Sequence, residues 1–327
     1  MKFLIAGFGS IGRRHFRNLL ALGQRDILFL RSHQSTLPDD ELAEFIVETD
    51  LEAALSHQPD AVIVSNPTSL HLDVAIPAAR AGCHLFLEKP VSHNLDRVDE
   101  LREALAFGGG QALVGFQFRY HPGLRKIDQL LAEEQIGRPL SVRAHWGEYL
   151  PGWHPWEDYR QGYSARSDLG GGVVLTLCHP IDYLRWLLGE VHSLWAFTAQ
   201  SSDLELSVED TAEIGFRFAS GVIGSLHLDY NQRPASHIME IIGTRGTIRW
   251  NGLNGEILLS QGFDWKTFNP PQGFERNDLF LSQMNHFLDI VQKDEIPLCG
   301  LEDGITVLEI ALGIRASSQN GVQVSFV

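Results

Sequence analysis

A short apolar run, Phe3-Leu4-Ile5-Ala6, leads directly into Gly7-Phe8-Gly9-Ser10-Ile11-Gly12 and then into Arg13-Arg14-His15-Phe16, after which Phe16, Leu19, Leu20 and Leu22 follow helical spacing. No other feature constrains the chain as strongly. In this order of strand, turn and helix, Gly7 permits the tight turn, Gly9 lets a phosphate approach the backbone, and Gly12 lets the helix pack on the strand. The helix start adds unpaired N–H groups and a partial positive charge. The motif therefore predicts a dinucleotide pyrophosphate held by Gly7, Phe8, Gly9, Ser10, Ile11 and Gly12. The plain alternative is a glycine turn in some other α/β unit.

Further along, residues 3–6, 27–30, 61–65, 84–87 and 112–116 read as buried strands separated by helical stretches, which predicts a parallel, doubly wound sheet. Ligands of such sheets sit beyond the strand ends. That singles out Arg31-Ser32, Asn66-Pro67-Thr68, Glu88-Lys89-Pro90 and the segment from Gln117 onward. Beyond Tyr120 the texture changes to alternation in twos over 141–148, 211–218, 222–229, 238–242 and 247–250, with a turn at Thr244-Arg245-Gly246. The expected fold class is α/β: an N-terminal Rossmann doubly wound parallel sheet over 1–118, and a C-terminal α/β domain with an open, mainly antiparallel sheet over 119–327. Helices at 172–188, 279–292 and 302–317 are expected to cover one face of that second sheet. A second copy would cover the other face, giving a homodimer or homotetramer.

With 26 basic against 41 acidic residues in 327, the net charge of −15 argues against nucleic acid or an anionic membrane as partner. Cys83, Cys178 and Cys299 form no C-x-x-C pair, so no metal site is expected, and a reducing cytoplasm fits them. The first strand starts at Lys2, which is expected to leave no room for a signal peptide. No apolar run reaches the roughly 20 residues that span a bilayer.

Taken together, the N-terminal glycine turn, Glu88-Lys89-Pro90, the stretch Gly115-Phe116-Gln117-Phe118-Arg119-Tyr120-His121-Pro122, and Gly170-Gly171-Gly172 followed by His179-x-x-Asp182 resemble the Gfo/Idh/MocA oxidoreductases, the glucose-fructose oxidoreductase and inositol dehydrogenase group. Leu301-Glu302-Asp303-Gly304 and Ser317-Ser318-x-x-Gly321 are similar to that family's closing helix. The likeness covers essentially the whole chain. It implies NAD or NADP as cofactor and sugars, polyols or sugar derivatives as substrates.

Oxidising a secondary alcohol needs a hydride acceptor and a group that takes the hydroxyl proton. Lys89 after a strand would ordinarily be a solvated surface charge. The resemblance makes it a donor to the reacting oxygen, with Glu88 beside the cofactor. His179 would ordinarily be a packed core histidine. The resemblance makes it the proton acceptor, with Asp182, one turn later on the same helix face, able to orient the ring. Family members commonly carry an Asp just before this His, where Thr176 stands here; a hydroxyl supplies no anion to raise the imidazole pKa. Asn66, Pro67, Thr68 and His71 match the family's third-strand turn on the nicotinamide half.

An Asp or Glu roughly 20 residues beyond the glycines usually holds the ribose 2′-hydroxyl of NAD. Here Arg31-Ser32 stand there and no acid appears until Asp39, which points to the 2′-phosphate of NADP in preference to NAD; the plain alternative is Arg31 stacking on adenine with either cofactor. The aromatic and basic stretch 148–166 suits a pocket for a sugar ring, with Tyr149, Trp153, Tyr159 and Tyr163 for stacking. Arg119, Arg160 and Arg166 are candidates for an anionic substituent. The same tryptophans could instead simply pack a long loop. The reading is an NAD(P)-dependent dehydrogenase; an NAD-dependent glycoside hydrolase of the same fold and a non-catalytic dinucleotide-sensing regulator are the alternatives.

Overall fold

The computed structural model describes residues 1–32 and 40–326. The chain forms two compact units: Met1–Gln117 with Asp168–Gly170 and Arg276–Leu308, and Phe118–Ser167 with Gly171–Glu275 and Glu309–Val327.

The first unit is built on six strands, β1 (Phe3–Ala6), β2 (Ile27–Leu30), β3 (Ile46–Glu48), β4 (Ala61–Val64), β5 (His84–Leu87) and β6 (Ala112–Val114), in the order β3-β2-β1-β4-β5-β6. Every pairing is parallel. β1 and β4 are buried along their whole length, as strands covered on both faces must be. The order reverses between β1 and β4, the position where such sheets open a ligand crevice. Helices α1 (Ser10–Ala21), α2 (Leu51–Ser56), α3 (His71–Arg80) and α4 (Val98–Gly108) connect the strands. β3 has no counterpart among the expected strands: it is a three-residue edge strand whose Ile46 is exposed, so no apolar period marks it.

The second unit carries α5 (Pro122–Ala132), β7 (Pro139–Gly147), α6 (Val173–Thr176), α7 (His179–Leu188), β8 (Val191–Ala199), β9 (Thr211–Phe218), β10 (Ile223–Asp229), β11 (Ser236–Gly243), β12 (Thr247–Asn251), β13 (Ile257–Ser260), β14 (Lys266–Phe268) and β15 (Val324–Ser325). Its nine-stranded sheet runs β14-β13-β12-β11-β7-β10-β9-β8-β15 and is antiparallel except for the parallel pair β7 and β10. β9 alternates strictly, with Ala212, Ile214, Phe216 and Phe218 buried and Glu213, Gly215 and Arg217 exposed. The expected helix over 172–188 is two helices. Pro180 lacks the amide that a continuing helix would need and instead sits in the first turn of α7.

The helix α8 (Arg276–Lys293) corrects a second expectation. Its stripe Phe280, Met284, Phe287 and Leu288 is buried, and Met284, Phe287, Leu288 and Ile290 join the first unit's core with Phe8, Phe16, Phe29 and Phe86; the Phe86 and Phe287 rings meet edge-on at 5.4 Å. Helical spacing reveals an apolar stripe but not which sheet it will cover. The last helix, α9 (Leu301–Asn320), contributes residues up to Leu308 to the first unit and from Glu309 to the second. Among the described residues no helix is long and apolar enough to cross a membrane.

His121 caps α5: its Nδ1 accepts the Gly123 N–H at 3.0 Å. The ring is buried, edge-on to Trp250 at 5.2 Å and Phe274 at 5.5 Å, and burial pushes its pKa down from 6.5 to about 4. Between these values the unfolded chain binds a proton that the folded chain refuses. The resulting stability is complete above the ordinary histidine pKa and is lost as pH falls to about 4, on the order of 3 kcal/mol in total. His121→Asn keeps a capping acceptor without the titration. Denaturant midpoints measured across that window should therefore fall less steeply for the variant; identical slopes would refute the assignment.

Candidate active site

Two of the turn glycines are required by the protein itself. Gly7 has φ +93°, and a Cβ there would lie 2.6 Å from the Asn66 nitrogen, while a Cβ on Gly12 would lie 2.2 Å from the Gly7 carbonyl oxygen. Gly9 is different. Its φ is −74° and an added Cβ would meet nothing within 4 Å, so neither backbone strain nor internal packing calls for glycine. It caps α1 without any side-chain bond, and the first turn holds no acid. Open space beside an uncapped helix N-terminus fits the pyrophosphate of a dinucleotide. The Phe8 side chain points away into the core, against Phe16 and Phe29 at 5.8 and 5.0 Å, which leaves only its backbone for the turn.

Neighbouring strand ends are tied to this turn. Ser65 Oγ donates to the Ala6 and Gly7 carbonyls at 3.0 Å each. The expectation that His71 meets the nicotinamide half is corrected: it lies 1 % exposed behind the turn, with Nδ1 3.0 Å from the Pro90 carbonyl oxygen and Nε2 3.0 Å from that of Asn66. Burial holds its pKa below the ordinary value, against the two carbonyls that favour the charged ring, and the imidazole lies between the Asn66-Pro67-Thr68 turn and Glu88-Lys89-Pro90. Thr68 and Gln117 are also buried.

Glu88 is buried with its Oε1 2.7 Å from Nε2 of the fully buried His15 on α1, while its Oε2 accepts the Lys89 N–H at 3.2 Å. Burial by itself raises the Glu88 pKa. The His15 hydrogen bond and charge, together with Lys89, outweigh it and hold the carboxyl below its usual range. Gly115 leaves room for this carboxylate: a Cβ there would lie 2.9 Å from Oε2. Lys89 itself is half-buried at the carboxyl end of β5.

At the end of β2, Arg31 is buried and Ser32 exposed. The Arg31 and Arg13 guanidinium groups lie 5.6 and 4.2 Å from the Phe8 ring centre. Arg13 pairs with Glu41 at 2.9 Å, and the Arg31 pKa is lowered by burial and then by Arg13. Asp39, the first acid after this strand, lies outside the described residues.

In the second unit, His179 opens α7 and is buried against Phe118 at 5.2 Å and Trp146 at 5.7 Å. His237 stacks on Trp146 at 4.4 Å with the ring planes 5° apart, and its Nε2 lies 3.1 Å from the Tyr183 hydroxyl. Sequence reasoning misses both Trp146 and His237. The signal lies in strand register, which pairs His237 directly with Trp146 across β11 and β7.

The expectation that Arg119 binds a ligand anion is corrected by its partner Asp182, the same residue expected to orient His179. These residues hold each other: Arg119 Nε donates to both carboxylate oxygens at 3.1 Å and its NH2 nitrogen to Oδ1 at 2.7 Å, with both residues buried. An arginine neutralised in this way is not an open anion site.

The aromatic segment is partly self-packed. Tyr149 lies under the Arg233 guanidinium at 4.1 Å, Trp153 meets Tyr230 edge-on at 5.6 Å, and the Tyr159 hydroxyl donates to the Leu204 carbonyl at 3.1 Å. Arg160 is exposed and faces Glu205 at 3.5 Å and Asp158 at 3.8 Å. Tyr163 and Arg166 are half-buried, and Thr176 is buried at the end of α6. Close packing under this segment explains two glycines, since a Cβ on Gly171 would strike the Tyr163 carbonyl at 2.2 Å and one on Gly172 the Arg315 guanidinium at 2.4 Å.

A glycine turn and an open helix N-terminus at the switch point of a parallel sheet are the arrangement by which dinucleotide-binding proteins hold a pyrophosphate. Residues 1–116 match the model of an oxidoreductase family with an NAD-binding Rossmann fold, and residues 124–249 match the GFO/IDH/MocA C-terminal domain. The chain belongs to the Gfo/Idh/MocA family and is an enzyme, a nicotinamide-dependent dehydrogenase acting on CH–OH groups. It is 26% identical over 339 residues to the myo-inositol 2-dehydrogenase of Thermotoga maritima, covering 97% of this chain and 96% of that one. The fold is shared with levoglucosan dehydrogenase in complex with NADH, at TM-score 0.89 and 20% identity over 99% and 98% of the two chains. It is also shared with the WlbA dehydrogenase of Bordetella pertussis in complex with NADH and UDP-GlcNAcA, at TM-score 0.84 and 22% identity over 100% and 98%.

Proposed function

We propose that this enzyme moves a hydride between nicotinamide and a secondary alcohol or ketone of a sugar, polyol or sugar derivative, acidic and nucleotide sugars included. The observation that carries the reading is the sheet order β1-β4-β5, which sets Lys89 at the same carboxyl edge as the open turn after β1. Nicotinamide, when bound, accepts or returns the hydride. Lys89 donates a hydrogen bond to the reacting oxygen, and His179 takes the hydroxyl proton in oxidation and returns it in reduction. The inositol, levoglucosan and UDP-GlcNAcA named for the relatives support a polyhydroxylated substrate, as does the density of aromatic rings over 149–163. The exposed Trp195, Phe197, Ile223 and Ile238 on the second sheet support a homodimer or homotetramer through that face.

A panel of sugars, polyols, uronic acids and nucleotide sugars with NAD or NADP, followed at the nicotinamide absorbance, tests the reading. It fails if no member of the panel changes that absorbance. A hydrolase with a retained cofactor would cleave glycosides with no net change.

For the cofactor, we propose a preference for NADP. Arg31 stands at the end of β2 with its guanidinium disfavoured by burial and by Arg13, and a 2′-phosphate there would stabilise its charge, whereas Arg13 already has Glu41 as partner. Arg31→Ala is expected to weaken NADPH by about 10- to 100-fold, the loss of a charge-assisted bond, and NADH by far less. Fluorescence titration with both cofactors decides; equal losses overturn the preference.

A further inference from the structure

His145 and His227 stand directly opposite each other in the parallel register of β7 and β10, with their rings stacked at 4.6 Å. Asp229, two residues beyond His227 and on the same side of the strand, brings Oδ2 to 3.0 Å from His227 Nε2 and 3.9 Å from His145 Nε2. The three potential ligand atoms all lie within 4.8 Å of one another. A tetrahedral zinc ion with bonds of about 2.0–2.1 Å holds its ligands about 3.3 Å apart, so small side-chain rotations complete the site.

Two independent features point to an ion. The first is the support around the ligands. Glu213 Oε1 lies 2.6 Å from His227 Nδ1, the carboxylate–histidine arrangement that fixes the tautomer of a metal-bound imidazole. Asp229 Oδ1 accepts the backbone amides of Asn231 and Gln232 at 2.6 Å each, which turns Oδ2 toward the histidines. The second feature is His145 Nε2, an enclosed nitrogen on a part-exposed ring with Gln232 nearby, for which no hydrogen bond of good geometry is found among the described residues. The chain Glu213–His227–Asp229 is complete as a hydrogen-bonded network, yet it leaves this nitrogen unexplained.

We propose that His145, His227 and Asp229 form a binding site for one first-row divalent cation per chain, zinc by preference for two imidazoles and a carboxylate. On β7 His145 alternates with Ala144 and Trp146, and His227 and Asp229 share its side through the β10 register, so the site faces away from the side of the sheet that holds Trp146 and His237. The ion clamps the sheet's parallel strand pair on the face that also carries Ile238 and Phe197, the register partners of His145 and Glu213, so its fourth ligand is water or a group of the second copy proposed to cover that face. No part of this depends on the substrate reading. Sequence spacing could not reveal the site, because its two histidines come from strands far apart in the chain.

The test is calorimetric titration of the chelator-treated full chain with zinc chloride, together with the visible spectrum of the cobalt-substituted protein. Saturation at one ion per chain, with the strong bands of four-coordinate cobalt, is expected. His145→Ala and His227→Ala should each weaken zinc by at least 100-fold, and Glu213→Gln by about tenfold, the usual scale for an outer partner. His57→Ala, in the first unit, should leave zinc binding unchanged. Absence of saturable binding, a cobalt spectrum no stronger than that of the aqueous ion, or zinc affinity indifferent to both strand-histidine replacements overturns the proposal. The cobalt spectrum of the unaltered chain decides even if a variant fails to fold.

Discussion

Lys89→Ala is expected to lower kcat by about 10²- to 10⁴-fold, the range for removing a positioned proton-transfer or oxyanion-binding group, and His179→Ala by a similar factor. The two substitutions differ in what else they disturb. Lys89 is half-buried at a strand end whose neighbours Glu88 and Pro90 are held by His15 and His71, so the turn should survive its loss. NADH affinity and the denaturant midpoint of Lys89→Ala should stay near those of the parent. Lys89→Arg should recover little, because a planar fork does not replace a compact ammonium. His179 packs on Phe118 and Trp146, so His179→Ala also leaves a cavity worth about 1–3 kcal/mol. His179→Asn separates the effects, since it keeps polarity and part of the volume and should lose turnover with less stability. Single-turnover rates on a substrate from the panel supply the measurement. If both alanine variants keep the parent rate, neither side chain carries the proton chemistry.

What the sequence reveals and what it hides divide along the distance over which the information acts. The turn from Gly7 to Gly12 is legible because strand, glycines and helix follow one another in the sequence, although the space Gly7 needs is set by Asn66 at the next strand end; five of the six parallel strands likewise show as apolar runs between helices. β8 is hidden because its outward residues include Trp195 and Phe197, which blur the alternation that marks a half-exposed strand. The destination of α8 is hidden because its apolar stripe would suit either sheet. The pairing of Trp146 with His237 depends on register across a sheet, which composition does not encode. His71 misleads for a related reason: a histidine after a strand end can face the ligand or stitch the turns, and only its two carbonyl neighbours show the second. Asp182, three residues after His179, suggests a helix-face partnership, but spacing could not show that its carboxylate also pairs with Arg119 from the 3₁₀ turn at Gln117–Tyr120.

That ion pair sets the second large expectation. Arg119 and Asp182 have side chains only 7% and 1% exposed, so each charge is out of water and depends on the other. Removing one partner strands the remaining charge, which costs about 3–5 kcal/mol, whereas removing both to well-packed apolar groups costs far less. Asp182→Leu and Arg119→Met should therefore each lower the denaturant midpoint severely. The double variant should be more stable than either single one, and a double-mutant cycle should return a coupling of about 2 kcal/mol or more. The pair also fixes the first turns of α7, where His179 sits, against the 3₁₀ turn that carries Phe118. Asp182→Asn keeps the shape and several hydrogen bonds while discarding the charge, so it should lose stability in proportion to the pair and turnover only through the placement of His179. Losses that simply add in the double variant would mean the two side chains stabilise the unit separately, and the account of a mutually dependent buried pair would be wrong.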